Sequence, residues 1–298
     1  MSNARDRRDD DDPFVEHRRL LFTVAYEMLG SAADAEDVVQ ETWLRWSSVD
    51  ASTVREPRAY LVRIVTRQAL NRLRTRARRR EEYVGEWLPE PLLTAPDVAD
   101  DVELAESVSI AMLTVLESLG PTERAVFVLR EVFDLGYPEV GEVVGKSQAA
   151  VRQIAHRARE HVSSRQPRMQ VSASEHARAV ERFLAALHSG DLQGLLDALA
   201  PDVVAVADGG GVVPAARRPI FGAERVAHLF SAFASRLAPP VVTETVLLNG
   251  MQGIRVDIDG ALTAAISFVV EDGRISHIYA VNNPHKLARL GTETLLTR

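Results

Sequence analysis

Apolar residues recur every three or four positions through most of the first 165 residues, then give way to alternating stretches. Leu20, Leu21, Val24, Ala25, Met28 and Leu29 share one helix face, and Gly30 ends the pattern. Ser31 or Asp34 caps a second helix with the stripe Val38, Val39, Thr42, Trp43 and Trp46; Asp34, Asp37, Gln40 and Glu41 lie off it or on its flanks. A loop from Ser47 to Pro57 leads to a third, long helix marked by Tyr60, Leu61, Ile64, Val65, Leu70 and Leu73. Its other face carries Arg63, Arg67, Arg72, Arg74 and Arg76. These three helices predict an all-α domain over residues 13–80.

A second all-α segment is expected over 103–165. Ala125, Val126, Leu129 and Val132 predict one helix from Glu123 to Phe133, broken by Asp134-Leu135-Gly136. Pro138 suits a first helical turn, Gly145 a left-handed turn and Ser147 an N-cap. The helix that follows buries Val151, Ile154, Ala155, Ala158 and Val162. Its opposite face centres on Ala149, Gln153 and His156, flanked by Arg152 and Arg157. The pattern is a helix-turn-helix whose second helix presents side chains able to read base edges.

From about 175 to 290 the pattern changes again. An amphipathic helix (Ala177, Val180, Phe183, Leu184, Leu187) ends at Gly190, and a second spans Leu192 to Leu199. Strand-like Val203–Ala207, a Gly turn and a helix over Ala223–Ala234 precede strands at Val241–Leu248, Gly253–Ile258, Ala261–Val270 and Ile275–Asn282. Helices followed by a meander predict an α+β domain. The whole is therefore multidomain, two all-α units followed by an α+β one, with linkers at 81–102 and 166–174 and a tail at 291–298.

Charge sharpens this division. The net charge of −7 hides blocks of opposite sign: +9 over 55–80, −11 over 81–123, +5 over 146–168 and −2 over 175–298. Two basic blocks separated by an acidic one predict two nucleic-acid footprints joined by a segment that does not bind nucleic acid. The acidic linker reads either as a solvated tether, helped by Pro89, Pro91 and Pro96, or as a segment whose Trp87 and Leu88 need a partner surface. Residues 1–12 read as a disordered acidic end without the apolar stretch of a signal peptide.

The absence of cysteine excludes disulfides, Cys-ligated zinc, iron–sulfur clusters and thiol catalysis. The eight histidines are scattered, so no metal and no cofactor is expected. No apolar run approaches the ~18 residues of a membrane span, so no membrane partner is expected and the location is the cytoplasm. In the tail, Asp208, His277 and Tyr279 are the obvious candidates for acid–base chemistry. Asp208 precedes three glycines, however, which is turn chemistry, and His277 and Tyr279 alternate along one strand. No catalytic residue is assigned, and an unknown small-molecule ligand in the tail stays open.

Asp34-Ala-Glu-Asp-Val-Val-Gln-Glu-Thr-Trp-Leu44 and the basic helix Arg58–Arg80 resemble region 2 of bacterial sigma factors of the extracytoplasmic-function type, within the sigma-70 family. Leu119-Gly-Pro-Thr-Glu-Arg-Ala-Val-Phe-Val-Leu-Arg130 and the following helix-turn-helix resemble region 4. The tail resembles the SnoaL-like branch of the NTF2-like cone fold. Trp87-Leu-Pro-Glu-Pro91, Asp208-Gly-Gly-Gly211 and Asn283-Pro-His-Lys-Leu287 resemble the class with a fused SnoaL-like domain, the sigma factor J type.

The resemblance implies promoter-specific transcription initiation with bacterial RNA polymerase core, not an enzyme. Asp37, Gln40 and Glu41 match the face that docks on the β′ clamp helices, and region 4 would meet the β flap. Ser48, Asp50, Tyr60, Arg63, Arg67 and Arg74 match the surface on the −10 element of promoter DNA. Ile64 and Val65 stand where primary sigma factors carry melting aromatics. Ser147, Gln148, Arg152, Gln153, His156 and Arg157 match the reader of the −35 element. Trp87, Leu88 and Pro89 of the linker, with Asp208, Gly209, Gly210, Gly211, Asn283, Pro284 and Lys286, are the implied meeting points through which the tail replaces a separate anti-sigma protein. The family's last motif usually has Asp where this chain has His285. Two other readings remain: a stand-alone helix-turn-helix regulator with a ligand-sensing tail, and a DNA-binding module fused to a SnoaL-like isomerase or cyclase.

Overall fold

The computed structural model describes residues 12–80, 83–166, 171–236 and 241–298; the predicted acidic end at 1–11 lies outside these, as does part of the 166–174 linker. The chain divides into two compact units. One holds residues up to Glu81, Val115–Arg165 and Leu295–Arg298; the other holds Glu82–Thr114 and Gln166–Thr294.

In the helical unit, α1 (Pro13–Leu29) ends on Gly30, which is left-handed at φ +61° and turns the chain into α2 (Ala32–Trp46), capped by Ser31. Asp12 is not part of a disordered end: its Oδ1 accepts from the Phe14 amide and from Trp46 Nε1, both at 2.8 Å. The third helix, α3 (Pro57–Arg80), closes a three-helix core around Leu21, Val24, Met28, Val38, Leu61 and Val65, all buried. Each such residue contributes roughly 1.5–3 kcal/mol on burial.

Three short helices precede the helix-turn-helix: α4 (Pro96–Asp100), α5 (Val102–Val108) and α6 (Ile110–Leu116). Next, α7 (Pro121–Phe127) does not continue to Phe133 as the periodicity predicts. The chain widens into a π turn at Val128–Val132, which brings both Val128 and Leu129 into the core. The helix-turn-helix is α8 (Tyr137–Val144), Gly145 at φ +70°, and α9 (Gln148–Ser163) with Ser147 as N-cap. At the far end of the chain Leu296 is buried in this same unit, and the Thr297 amide donates to Thr23 Oγ1 of α1 at 3.1 Å.

The second unit is α+β. Its helices α10 (Ala173–Ser189) and α11 (Leu192–Ala198) lead into β1 (Leu199–Asp208), β2 (Ile220–Phe221), α12 (Ala223–Arg236), β3 (Val241–Leu248), β4 (Met251–Ile258), β5 (Ala261–Glu271), β6 (Arg274–Val281) and the short α13 (Pro284–Leu287). The sheet order is β2-β1-β6-β5-β4-β3; β1 is parallel to β6 and the other pairs are antiparallel. Asn249-Gly250, Asp259-Gly260 and Asp272-Gly273 make the three tight hairpin turns, with φ between +50° and +76° at all six residues.

The sheet has two covered faces. On one, Ala179, Val180 and Phe183 of α10 and Val226 of α12 pack on Ile254, Phe268 and Ile278. The other is covered by the acidic linker and the helices after it: Leu88, Ile110 and Ala111 pack with Leu248, Val269 and Tyr279, joined by Leu287 and Leu290. A domain break at 102/103 is therefore not where the packing divides; the division falls at 114/115, inside α6. Among the described residues no helix is long and apolar enough to cross a membrane, and no group of three His, Asp or Glu side chains is arranged to hold a metal ion.

Candidate functional site

The acidic face of α2 is built by α2 and α3 together. Asp37, Gln40 and Glu41 are all exposed. Arg72 of α3 pairs with Asp34 at 2.9 Å, Asp37 at 2.5 Å and Glu41 at 3.5 Å, while Gln68 Nε2 donates to Glu41 at 2.9 Å. Burial works against the charge on Arg72, but the two aspartates outweigh it and hold the guanidinium above its ordinary range. Arg72, which the sequence places on the basic face of α3 with Arg63, Arg67 and Arg74, is therefore engaged by the carboxylates of α2.

On the next surface the candidates separate into engaged and free groups. Asp50 caps the short turn Ala51–Thr53, accepting from the Ser52 amide at 3.0 Å and the Ser52 hydroxyl at 2.7 Å. These bonds lower its pKa. Ser48 is exposed and donates to the Arg45 carbonyl at 2.7 Å. Tyr60 is half-buried, its ring 6.0 Å from that of Trp46. Arg74 is exposed. Arg63 and Arg67 are turned onto the helix-turn-helix: Arg63 pairs with the Glu142 carboxylate at 3.2 Å and Arg67 donates to the Glu142 carbonyl at 2.8 Å. Ile64 is half-buried and Val65 wholly buried.

The face of α9 is the most complete. Ser147, Gln148, Arg152, Gln153, His156 and Arg157 are all exposed, while Val151, Ala155, Ala158 and Val162 anchor the opposite face. Ser147 spends its oxygen on the Ala150 amide. The Arg152 guanidinium lies 5.4 Å from the Tyr137 ring centre and Arg130 lies 4.9 Å from it, so two cations flank one aromatic ring.

A buried charge that the sequence pattern does not reveal ties the early helices to the later ones. Arg124 of α7 is 1% exposed; its Nε and Nη2 donate to the Glu27 carbonyl of α1 at 3.0 and 2.8 Å, and its Nη1 pairs with Glu117. Burial pulls its pKa down to about 9, against the opposing charge of Glu27.

In the α+β unit the linker and tail motifs converge on Asp208, which is wholly buried. Its Oδ2 accepts from the Leu88 amide at 2.8 Å and Lys286 Nζ at 2.7 Å; its Oδ1 accepts from the Tyr83 hydroxyl at 2.6 Å and the Gly210 amide at 3.0 Å. Lys286 also donates to the Leu88 carbonyl and sits 3.9 Å above the Trp87 ring. Asn283 Nδ2 donates to the Tyr83 hydroxyl at 3.0 Å, and Asn283 caps α13, with Pro284 in its first turn. Burial and the Asp208 carboxylate hold the Tyr83 phenol well above the usual tyrosine range. The glycines are there for close approach: a Cβ at Gly209 would meet the Val213 carbonyl oxygen, one at Gly210 the Asn283 amide nitrogen, and one at Gly211 would sit 3.0 Å from Val84. The Asp208 run is thus more than turn chemistry. Trp87 is half-buried, and Leu88 and Pro89 are buried, within the chain's own second unit. His285 is exposed, and the charge pair with Asp208 is made by its neighbour Lys286.

Sequence reasoning missed Tyr83 and Asn249. Asn249 accepts from the Leu92 amide at 2.9 Å and donates to the Val108 carbonyl at 2.8 Å, fixing the end of the linker. Its only signal was the Asn-Gly pair, which reads as a hairpin turn. His277 and Tyr279 stack at 6.1 Å on the linker-covered face, while Asp208 is committed to Lys286 and the linker.

Residues 14–79 match the family described as Sigma-70 region 2, and residues 109–162 match Sigma-70, region 4. Over 283 residues, the chain is 38% identical to the ECF RNA polymerase sigma factor SigJ of Mycobacterium tuberculosis (strain ATCC 25618 / H37Rv), covering 90% of each protein. It is 31% identical over 281 residues to the Probable ECF RNA polymerase sigma factor SigI of Mycobacterium tuberculosis (strain CDC 1551 / Oshkosh), covering 93% of this chain and 94% of that one. The crystal structure of Mycobacterium tuberculosis SigJ matches with a TM-score of 0.75 at 36% identity, over 91% of this chain and 96% of that chain.

Proposed function

Because the chain belongs to the extracytoplasmic-function RNA polymerase sigma factors, we propose that it directs promoter-specific initiation by bacterial RNA polymerase core and that its SnoaL-like tail regulates this step in cis, through the linker. As a sigma factor it is an initiation factor and not an enzyme, and it works in the cytoplasm, where the polymerase and the promoter are. Asp37, Gln40 and Glu41 offer an acidic, amide-bearing face to the β′ clamp helices, and the helix-turn-helix unit meets the β flap. Arg63, Arg67 and Arg74, with Ser48, Asp50 and Tyr60, face the −10 element. The α9 side chains Gln148, Arg152, Gln153, His156 and Arg157, with Ser147 at the helix cap, face the −35 element, where Arg and Gln read base edges in the major groove.

The observation that carries the regulatory reading is the seating of the linker. The segment that connects the two DNA-binding parts is hydrogen-bonded, at Leu88, to a buried carboxylate of the tail. The helical unit supports a resting state of the same kind. The two promoter elements lie about 25 base pairs apart, or roughly 85 Å at 3.4 Å per base pair. Arg67 and Glu142, one from each reader, touch at 2.8 Å. The unit must open to span a promoter, and a linker held by the tail restrains that opening.

Run-off transcription with core polymerase tests this, using a promoter selected with the same holoenzyme and comparing the full chain with its Asp208→Asn variant. Specific initiation by the full chain, increased in the variant, is the expected result. Equal initiation by both would remove the regulatory role of the linker. No initiation and no binding to core would remove the sigma assignment for this chain.

A further inference from the structure

The helix-turn-helix carries an arginine whose direction is set by a ring. Arg152 is exposed on α9, and its guanidinium lies 5.4 Å from the centre of the Tyr137 ring. Among the described residues that guanidinium has no hydrogen bond and no ion pair. A stack on an aromatic ring holds the planar group by its face and leaves its N–H edge open. The donors of Arg152 are therefore all available, in an orientation that the ring restricts. Arg157, also exposed on α9, has no such contact among the described residues.

The platform under Arg152 is itself held in place. Tyr137 opens α8 and is half-buried, with Pro138 beside it in the first turn; the preceding Gly136 amide donates to Glu139 at 2.8 Å. Arg130 lies 4.9 Å from the ring centre, and its Nη1 pairs with Asp134 at 2.6 Å and donates to the Leu135 carbonyl at 3.1 Å. Hydrogen bonding to Tyr137 and the charge of Asp134 keep this guanidinium above its ordinary range. Asp134 takes its place with a left-handed backbone, φ +49°, just after the π turn Val128–Val132 that carries Arg130. The turn and the left-handed aspartate together seat Arg130 against the ring.

Direction matters for one kind of DNA contact and not for the other. A phosphate is met by charge, which an unrestrained arginine supplies from many rotamers. A bidentate bond to a base edge needs the guanidinium plane held one way. We propose, on the reading of α9 as the −35 reader, that Tyr137 is a positioning residue for base recognition: its ring aims the N–H edge of Arg152, and base preference at one −35 position depends on Tyr137 although Tyr137 does not touch that base.

NMR relaxation of the full chain carrying isotopically labelled arginine is the first test, and it needs no DNA. The Arg152 Nε–H group should have a higher order parameter than that of Arg157. Tyr137→Leu keeps apolar bulk and removes the aromatic face, so it should abolish the difference; Tyr137→Phe should preserve it. Selection of −35 sequences by the holoenzyme from a randomised promoter library is the second test. Tyr137→Leu should lower base preference about three- to fivefold at the position that Arg152→Ala also relaxes, and should add nothing in the Arg152→Ala background. Tyr137→Phe should retain the parental preference. Equal order at Arg152 and Arg157 in the parent overturns the platform, and that comparison stands even where Tyr137→Leu fails to fold. A loss spread evenly over all −35 sequences, or the same loss in Tyr137→Phe, overturns the positioning role in favour of a phosphate contact. A parent holoenzyme that selects no −35 sequence overturns the reading of α9 and the proposal with it, whereas loss of the order difference alone overturns only the proposal.

Discussion

Arg67 donates its guanidinium to the backbone carbonyl of Glu142, 75 residues further along the chain, at 2.8 Å. An arginine of the basic face of α3 is thereby satisfied by protein, and Arg63 does the same with the Glu142 side chain. Both contacts are exposed, and exposed pairs contribute only about 0–1 kcal/mol. They shield the arginines without locking them. Arg67→Ala combined with Glu142→Ala removes both contacts, since the alanine at 142 alone keeps the carbonyl, and should leave thermal unfolding nearly unchanged while broadening the distance between α3 and α9. The chain has no cysteine, so labels introduced at Thr75 and Gln153 report that distance cleanly. A distribution identical to the parent's would mean that these two contacts do not hold the helices together.

Arg124 behaves differently because it is buried. Removing one partner of a buried charge pair leaves the other uncompensated and costs about 3–5 kcal/mol. Arg124→Met should destabilise the helical unit on that scale, through the ion pair lost at Glu117 and the two hydrogen bonds lost at the Glu27 carbonyl. Adding Glu117→Gln should recover part of the loss. Denaturant unfolding of the two variants measures this, and a cost below about 1 kcal/mol would contradict the assigned role.

His176 gives the α+β unit an acid sensitivity. The ring is 2% exposed, its Nε2 is 3.2 Å from the Phe268 carbonyl oxygen, and burial lowers its pKa despite that contact. His277 is lowered too, again chiefly by burial. A histidine depressed in the folded state is protonated more readily in the unfolded chain. Its stabilising contribution is complete above the ordinary value near 6.5 and is lost as pH falls through and below it. The unfolding temperature should therefore drop between about pH 7 and pH 5. His176→Gln should flatten that slope; a slope unaltered in the variant would place the proton uptake elsewhere.

Leu88 offers a direct probe of the linker. Its amide donates to a carboxylate with no exposed surface, so it should exchange slowly with solvent. Asp208→Asn removes the charge that holds Lys286 and should accelerate exchange at Leu88 by at least about tenfold. Exchange rates equal in the two proteins would show that Asp208 does not retain the linker.

Local rules made much of the fold legible. Gly30 and Gly145 end their helices in the left-handed conformation, and Ser31 and Ser147 open the next ones, because caps depend on immediate neighbours. The strands followed from their own strand-like apolar stretches, and the Asn-Gly and Asp-Gly turns between them emerged with the structure. What stayed hidden depends on partners far away in sequence. Arg72 looked like one more arginine of the basic face because nothing in α3 announces the aspartates of α2. Arg124 occupied a polar slot in an amphipathic pattern, and its burial follows from a carbonyl 97 residues earlier. Tyr83 and Leu88 meet Asp208 across 125 and 120 residues. The motifs at both ends were visible, but the carboxylate–lysine geometry that joins them was not.

Thr297 returns to Thr23 across 274 residues, and that separation is also an interval of time. At about 5–20 residues per second, the ribosome adds Thr297 roughly 15–55 s after Thr23. Throughout that interval the three helices that form the first core exist without the Leu296 side chain or the Thr297 hydrogen bond. A newly synthesised molecule therefore passes through a period in which its first domain has been made but the last contact on its opening helix has not.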